Sequence, residues 1–141
     1  MRVLILGVSG MVGHMAYWGL FEWFLSRRGG AVNGFVHAIY SGLTTRAFAS
    51  ILDALVGGNA PLAGLYHVAS APISKYDLLS RLARRLRLPT EVVPDESVRC
   101  DRSLDGSAFS RETGLRVPGW GEMLDAFAED FERYEVWRAA A

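Results

Sequence analysis

The chain has 141 residues, half of them hydrophobic, and its 15 basic and 15 acidic side chains cancel. Length and composition describe one globular domain with a core of useful size and exclude a disordered chain. The cancelled charge removes the electrostatic case for nucleic acid as a partner, and a single cysteine, Cys100, excludes an internal disulfide and a multi-thiolate metal site, so a reducing cytoplasm is the expected compartment.

Residues 3–6, Val-Leu-Ile-Leu, form a short continuous apolar run, the pattern of a strand covered on both faces. Gly7, Gly10 and Gly13 follow at a spacing of three and three. Placed between a strand and a helix, such glycines allow a tight turn, let a pyrophosphate approach the backbone and let helix and strand pack closely, while the helix N-terminus offers free N–H groups. Residues 11–28 read as that helix, with Trp18, Phe21, Phe24 and Leu25 on one side, Arg27 and Arg28 in its last turn and Gly29 as its stop. Residues 3–25 are also long enough to span a membrane. Four glycines, Glu22 and the β-branched start argue against that use.

Further along, residues 32–40 read as a strand, and Ser41-Gly42-Leu43-Thr44 leads into a helix with Phe48, Ile51, Leu52, Leu55 and Val56 as its stripe, closed by Gly57-Gly58-Asn59. Thr44 is a helix cap first and a ligand contact second. Residues 65–69 are expected to be a strand that places His67 in the core. Ser74 and Asp77 make a capping-box start for a helix that buries Leu78, Leu79, Leu82 and Leu86 and ends before Pro89. Two separate extended segments are expected at 91–93 and 98–104, then a short helix at 107–113 stopped by Gly114, and a last helix at about 120–137 packing through Met123, Leu124, Phe127, Phe131 and Tyr134. Alternating strands and helices predict an α/β layer structure with part of its sheet parallel.

Candidate chemistry is sparse. His14, His37 and His67 show no paired ligand spacing, so no metal site is expected, and Ser9 lies in Gly-Val-Ser-Gly rather than a nucleophile elbow. Arg99 and Arg102, with Ser103, suit phosphate oxygens; salt bridges with Glu96, Asp101 and Asp105 are the alternative. Arg81, Arg84, Arg85 and Arg87 read as a solvated helix side. An acid about 20 residues past a glycine turn normally holds the adenosine ribose, yet between Glu22 and Asp53 the chain has none.

On these residues the sequence resembles the extended short-chain dehydrogenase/reductase family, specifically the dTDP-4-dehydrorhamnose reductase-like sugar-nucleotide reductases. "RVLILGVSGMVGH" resembles the family's first strand and Gly-x-x-Gly-x-x-Gly turn; "FEWFLSRRGGAVNGFVHAIYSGLTTRAFASIL", "GLYHVASAPISKYDLLSRLA" and "VRCDRSLDGSAFSRETGL" resemble its later, substrate-side half. The two pieces are not adjacent in the family, so the resemblance implies a large internal deletion near Gly19-Leu20-Phe21. It implies a truncated Rossmann-like strand-turn-helix remnant over residues 1–20 and a sugar-nucleotide-binding α/β portion over 21–141, together forming one compact domain. NAD or NADP would be held by Gly7, Ser9, Gly10, Met11 and Gly13, and a nucleotide sugar by Thr44, Arg99, Arg102 and Ser103. The family's proton donor is the Tyr of Tyr-x-x-x-Lys, whose Lys stabilises the phenolate. That motif is absent here: the only lysine is Lys75, and residue 71 is Ala. The expectation is a reductase-like chain with no catalytic residues of its own. Two alternatives stand beside it, a non-catalytic binding or oligomerisation module and a small protein anchored through residues 3–25. In the module, the aromatic cluster Tyr17, Trp18, Phe21, Trp23 and Phe24 would be uncovered and favour a homo-oligomer or pairing with an intact relative.

Overall fold

The computed structural model describes residues 19–58 and 62–140. The expected strand at 3–6, the glycine turn with Gly7, Ser9, Gly10, Met11 and Gly13, and also His14, Tyr17 and Trp18 lie outside the described residues. In chain order the elements are α1 (Leu20–Leu25), β1 (Ala31–Tyr40), α2 (Thr45–Gly57), β2 (Ile73–Ser74), α3 (Lys75–Arg85), β3 (Glu91–Arg102), α4 (Ser107–Thr113) and α5 (Trp120–Ala140). The expected α/β alternation is present. The three strands lie in the order β2-β1-β3, with β1 parallel to β3 and antiparallel to β2.

Several elements form for local reasons legible in the sequence. Ser74 Oγ accepts the Asp77 N–H at 3.0 Å, and its hydroxyl donates to Asp77 Oδ2 at 2.9 Å. This cap points Leu78, Leu79 and Leu82 into the core. Thr44 caps α2 by accepting the Ala47 N–H at 3.3 Å. Gly114 ends α4 with φ +69°, a left-handed conformation that costs other residues more.

Against the sheet, α3 sits unusually close. A Cβ at Gly34 of β1 would stand 2.8 Å from Tyr76 Cα and 2.8 Å from Val92 Cγ1, so only glycine lets helix and strand approach this far. Beyond α3, Leu79, Phe24, Phe109 and Met123 are the most deeply buried side chains and join α1, α3, α4 and α5 in one core. Phe21 packs edge-on against Phe127 with centroids 4.5 Å apart. Arg28 ties the end of α1 to α5 through Glu135 at 3.2 Å.

Five expectations are corrected. The helix expected to run to residue 28 ends at Leu25, because Ser26 Oγ donates to Trp23 O and the Arg27 and Arg28 N–H groups close tight turns onto Phe24 O and Leu25 O. The residues at 65–69 form no strand. Beside them β1 is paired on both sides, Ile39 and Tyr40 with β2 and with β3, and the stretch is instead tied to the strand end by Ser70 N–H donating to Ser41 O. His67 is accordingly exposed rather than in the core. The two segments at 91–93 and 98–104 are one strand, β3, interrupted by a bulge where Val36 faces the three residues 96–98. Finally, Phe24 is fully buried, Phe21 lies under α5, and Trp23 is stacked by Lys75, so these members of the aromatic cluster are covered.

Candidate functional site

In open α/β sheets, ligands bind beyond the carboxyl ends of parallel strands, where loops diverge. Here β1 and β3 end side by side, Tyr40 opposite Arg102. The loops that follow are joined at once: Leu104 N–H donates to Ser41 Oγ at 2.7 Å, and the Ser41 hydroxyl donates to Leu104 O at 3.3 Å. A strap at residues 69–71 lies across this end. Ser70 N–H donates to Ser41 O at 3.2 Å, Ser70 Oγ to Pro118 O at 3.1 Å, and Trp120 Nε1 to Ala71 O at 2.7 Å. Gly106 fits beneath the strap, since a Cβ there would lie 3.0 Å from Ala69 O. Next to the strap opens a cavity of about 560 Å³ bordered by Ser70, Ser107, Ser110 and Arg116.

The four substrate-side candidates are only partly brought together. Arg102 and Ser103 stand at the end of β3, beside the Ser41–Leu104 link, and Arg99 lies three residues further back, opposite His37 and on the other face of the strand. Both arginines are exposed, and neither enters an ion pair or side-chain hydrogen bond among the described residues, so the alternative, bridges to Glu96, Asp101 and Asp105, is not formed. Thr44 is buried as the cap of α2 and borders a separate groove of about 330 Å³ between α2 and α5. Ser103 is occupied by its neighbour: its hydroxyl and its N–H both donate to Asp101 Oδ1, at 2.6 and 2.9 Å. These bonds hold the Asp101 carboxyl below its ordinary range, and the Ser107 N–H and hydroxyl do the same for Asp105. Two free guanidinium groups therefore sit among ionised carboxylates, which leaves forked hydrogen bonding rather than net positive charge as the means of gripping an anion.

Sequence reasoning missed the hydroxyls of Ser41 and Ser70, whose partners lie 63 and 48 residues away. It also missed Tyr40. Burial pushes the Tyr40 phenol well above its usual range, its hydroxyl has no hydrogen-bond partner, and its ring packs on Trp120 with centroids 5.4 Å apart. A phenol so held stays neutral, and no lysine adjoins it. Lys75, the sole lysine, lies 4.6 Å from the Trp23 ring centre and 4.7 Å from that of Phe35, and burial lowers its pKa. The neighbouring Tyr76 instead lies against Gly34. No Tyr–Lys proton relay exists among the described residues. Nor do they contain a group of three His, Cys, Asp or Glu placed to hold a metal ion, or a helix long and apolar enough to cross a membrane.

No family model matches the chain, and no curated protein does. Solved structures do. The dTDP-4-dehydrorhamnose reductase of Bacillus anthracis, solved in complex with NADP, matches over 76% of this chain with a TM-score of 0.61 and 18% identity. A hypothetical dTDP-4-dehydrorhamnose reductase from Sulfolobus tokodaii matches over 67% with a TM-score of 0.53 and 29% identity. The match spans only 39% and 37% of those two chains. Over part of its length, the chain thus carries the α/β fold of the dTDP-4-dehydrorhamnose reductases.

Proposed function

We propose that this chain is a reductase-like protein that retains the nucleotide-sugar-binding side of the fold and does not carry out the reduction by itself. The observation that supports it most is Arg102, exposed and free of ion pairs at the carboxyl end of β3 with Arg99 three residues before it, on a fold shared with dTDP-4-dehydrorhamnose reductases. A diphosphate accepts forked N–H bonds from Arg102 at the strand end, while Arg99 projects from the other face of β3, and the cavity of about 560 Å³ beside the strap is of a size to take a sugar or a base. Thr44 and Ser103 hold the loops around that site, through the α2 cap and the Asp101 turn, instead of gripping the ligand.

Within this reading, residues 1–20 are the remnant of the dinucleotide-binding unit and 21–141 the substrate side, joined near Gly19-Leu20-Phe21 in one compact domain. NAD or NADP enters through Gly7, Ser9, Gly10, Met11 and Gly13 alone. The remaining cofactor and proton-transfer roles find no fitting residue: no acid stands between Glu22 and Asp53 for the ribose, and Lys75 is held between Trp23 and Phe35. No hydride-transfer step is therefore assigned to the chain. With one free cysteine, half-buried in β3, the cytoplasm remains the proposed compartment.

Titration of thymidine diphosphate, followed by amide chemical shifts, tests the site. Binding with a Kd on the order of 10–100 µM is expected, with the largest shifts around Ser41, Ser70 and Arg102. Arg102→Ala should weaken it about tenfold, the loss of one charge-assisted contact, and Arg99→Ala, on the other face of the strand, by less. Shifts confined to other surfaces, or affinity unchanged in the double variant, would refute the assignment.

A further inference from the structure

The sheet ends at β3, whose outer edge is unpaired among the described residues. The two halves of that edge differ. Glu91 N–H donates to Gly30 O, toward β1, so by the alternation of the strand the nitrogen of Pro94 faces outward, where it has no hydrogen to offer. The bulge at 96–98 follows. Both features blunt the first half against pairing with another strand. Residues 99–102, beyond the bulge, carry neither device. From Val98 on the side chains alternate, Val98 and Cys100 half-buried and Arg99 and Asp101 exposed.

We infer that residues 99–101 pair antiparallel with the same residues of a second copy of this chain, about a two-fold axis at Cys100. This register sets Arg99 opposite the partner's Asp101 and, by symmetry, Asp101 opposite the partner's Arg99, both on the exposed face. The charge pattern selects it. Because side chains alternate, the axis can move only by whole residues: one residue toward the C-terminus sets Asp101 against the partner's Asp101, and one residue the other way sets Arg99 against the partner's Arg99. The contact is short, well under the roughly 1,000 Å² of a lasting interface, so the dimer is a weak one with a Kd of about 0.1–1 mM. Cys100 falls opposite the partner's Cys100 at a Cα separation of about 4.5–5.5 Å, within disulfide range. The inference stands apart from the nucleotide-sugar reading. Because Arg99 and Arg102 stand on the same strand, the dimer is measured without nucleotide.

Sedimentation velocity from about 10 µM to 1 mM, together with diamide oxidation, provides the test. The expected result is reversible dimerisation and a reductant-sensitive covalent dimer. Arg99→Asp alone and Asp101→Arg alone should each cut cross-linking at least about tenfold. Mixing the two variants in equal amounts should restore it, because the mixed pair carries opposite charges at both contacts. Recovery on mixing also excludes misfolding as the cause of the loss. A monomer at every concentration, cross-linking indifferent to either variant, or no recovery on mixing would each overturn the inference.

Discussion

Gly34 is the position where the packing of the fold is most open to a quantitative test. Replacing it with alanine adds one Cβ, which would meet Tyr76 Cα and Val92 Cγ1 at 2.8 Å and Tyr76 Cδ2 at 2.9 Å. The Val92 methyl can rotate away. Tyr76 Cα cannot, because it belongs to the backbone of α3, which is anchored by the Ser74 cap and by buried Leu78, Leu79 and Leu82. The helix must lift from the sheet, an overpacking cost of about 1–3 kcal/mol. For a chain of this size each kcal/mol lowers Tm by roughly 3–5 °C. Gly57→Ala is the control: nothing lies within 4 Å of a Cβ there, and the residue ends α2, so the change should be neutral or stabilise by up to about 1 kcal/mol. Urea and thermal unfolding of both variants give the comparison. Equal stability of the two would mean that α3 does not rest on β1 in the way described.

Removing the α3 cap with Ser74→Ala leaves the Asp77 N–H without its acceptor and should cost about 1 kcal/mol, read as a lower urea midpoint with unchanged slope. Glu122 supplies a pH dependence. Two hydrogen bonds from Arg116, at 2.6 and 2.7 Å, and one from Gly119 N–H bring its pKa down from 4.5 to about 2. A carboxyl depressed in the folded state adds stability that is fully present above its ordinary value and is lost as pH falls from about 4.5 toward 2. Glu122→Gln should therefore flatten the acid limb of the stability profile, by less at high salt because the pair is exposed; an unchanged limb would show that the pair is not maintained in solution.

What the sequence disclosed follows the reach of each interaction. The Ser74 cap, the Gly114 stop and the Leu78–Leu79–Leu82 stripe depend on residues within a turn of one another, and all were legible. Strand formation was less so, because an apolar stretch becomes a strand only where an edge is free. Residues 65–69 satisfied the local pattern, but β1 at the end beside them is already paired on both sides. Conversely, Pro94 and the charges beside it break the alternation expected of a strand, and yet the segment is one, since β3 is an edge strand and bulges there. The site shows the same division. Thr44 as a cap and the arginines as anion-binding candidates were apparent from residue type. The Ser41–Leu104 and Ser70–Pro118 bonds, which shape the strand ends, join residues far apart in sequence and leave no mark in spacing.

The central claim, a substrate-side reductase fold without its proton relay, is tested most directly by following NADPH oxidation with a 4-keto-sugar nucleotide. The chain should first be shown to unfold cooperatively, and an intact reductase should serve as positive control. The account predicts no NADPH consumption above the rate in buffer at any concentration of the chain. Turnover proportional to the chain would contradict it, most directly if it were lost when Lys75 is replaced by methionine.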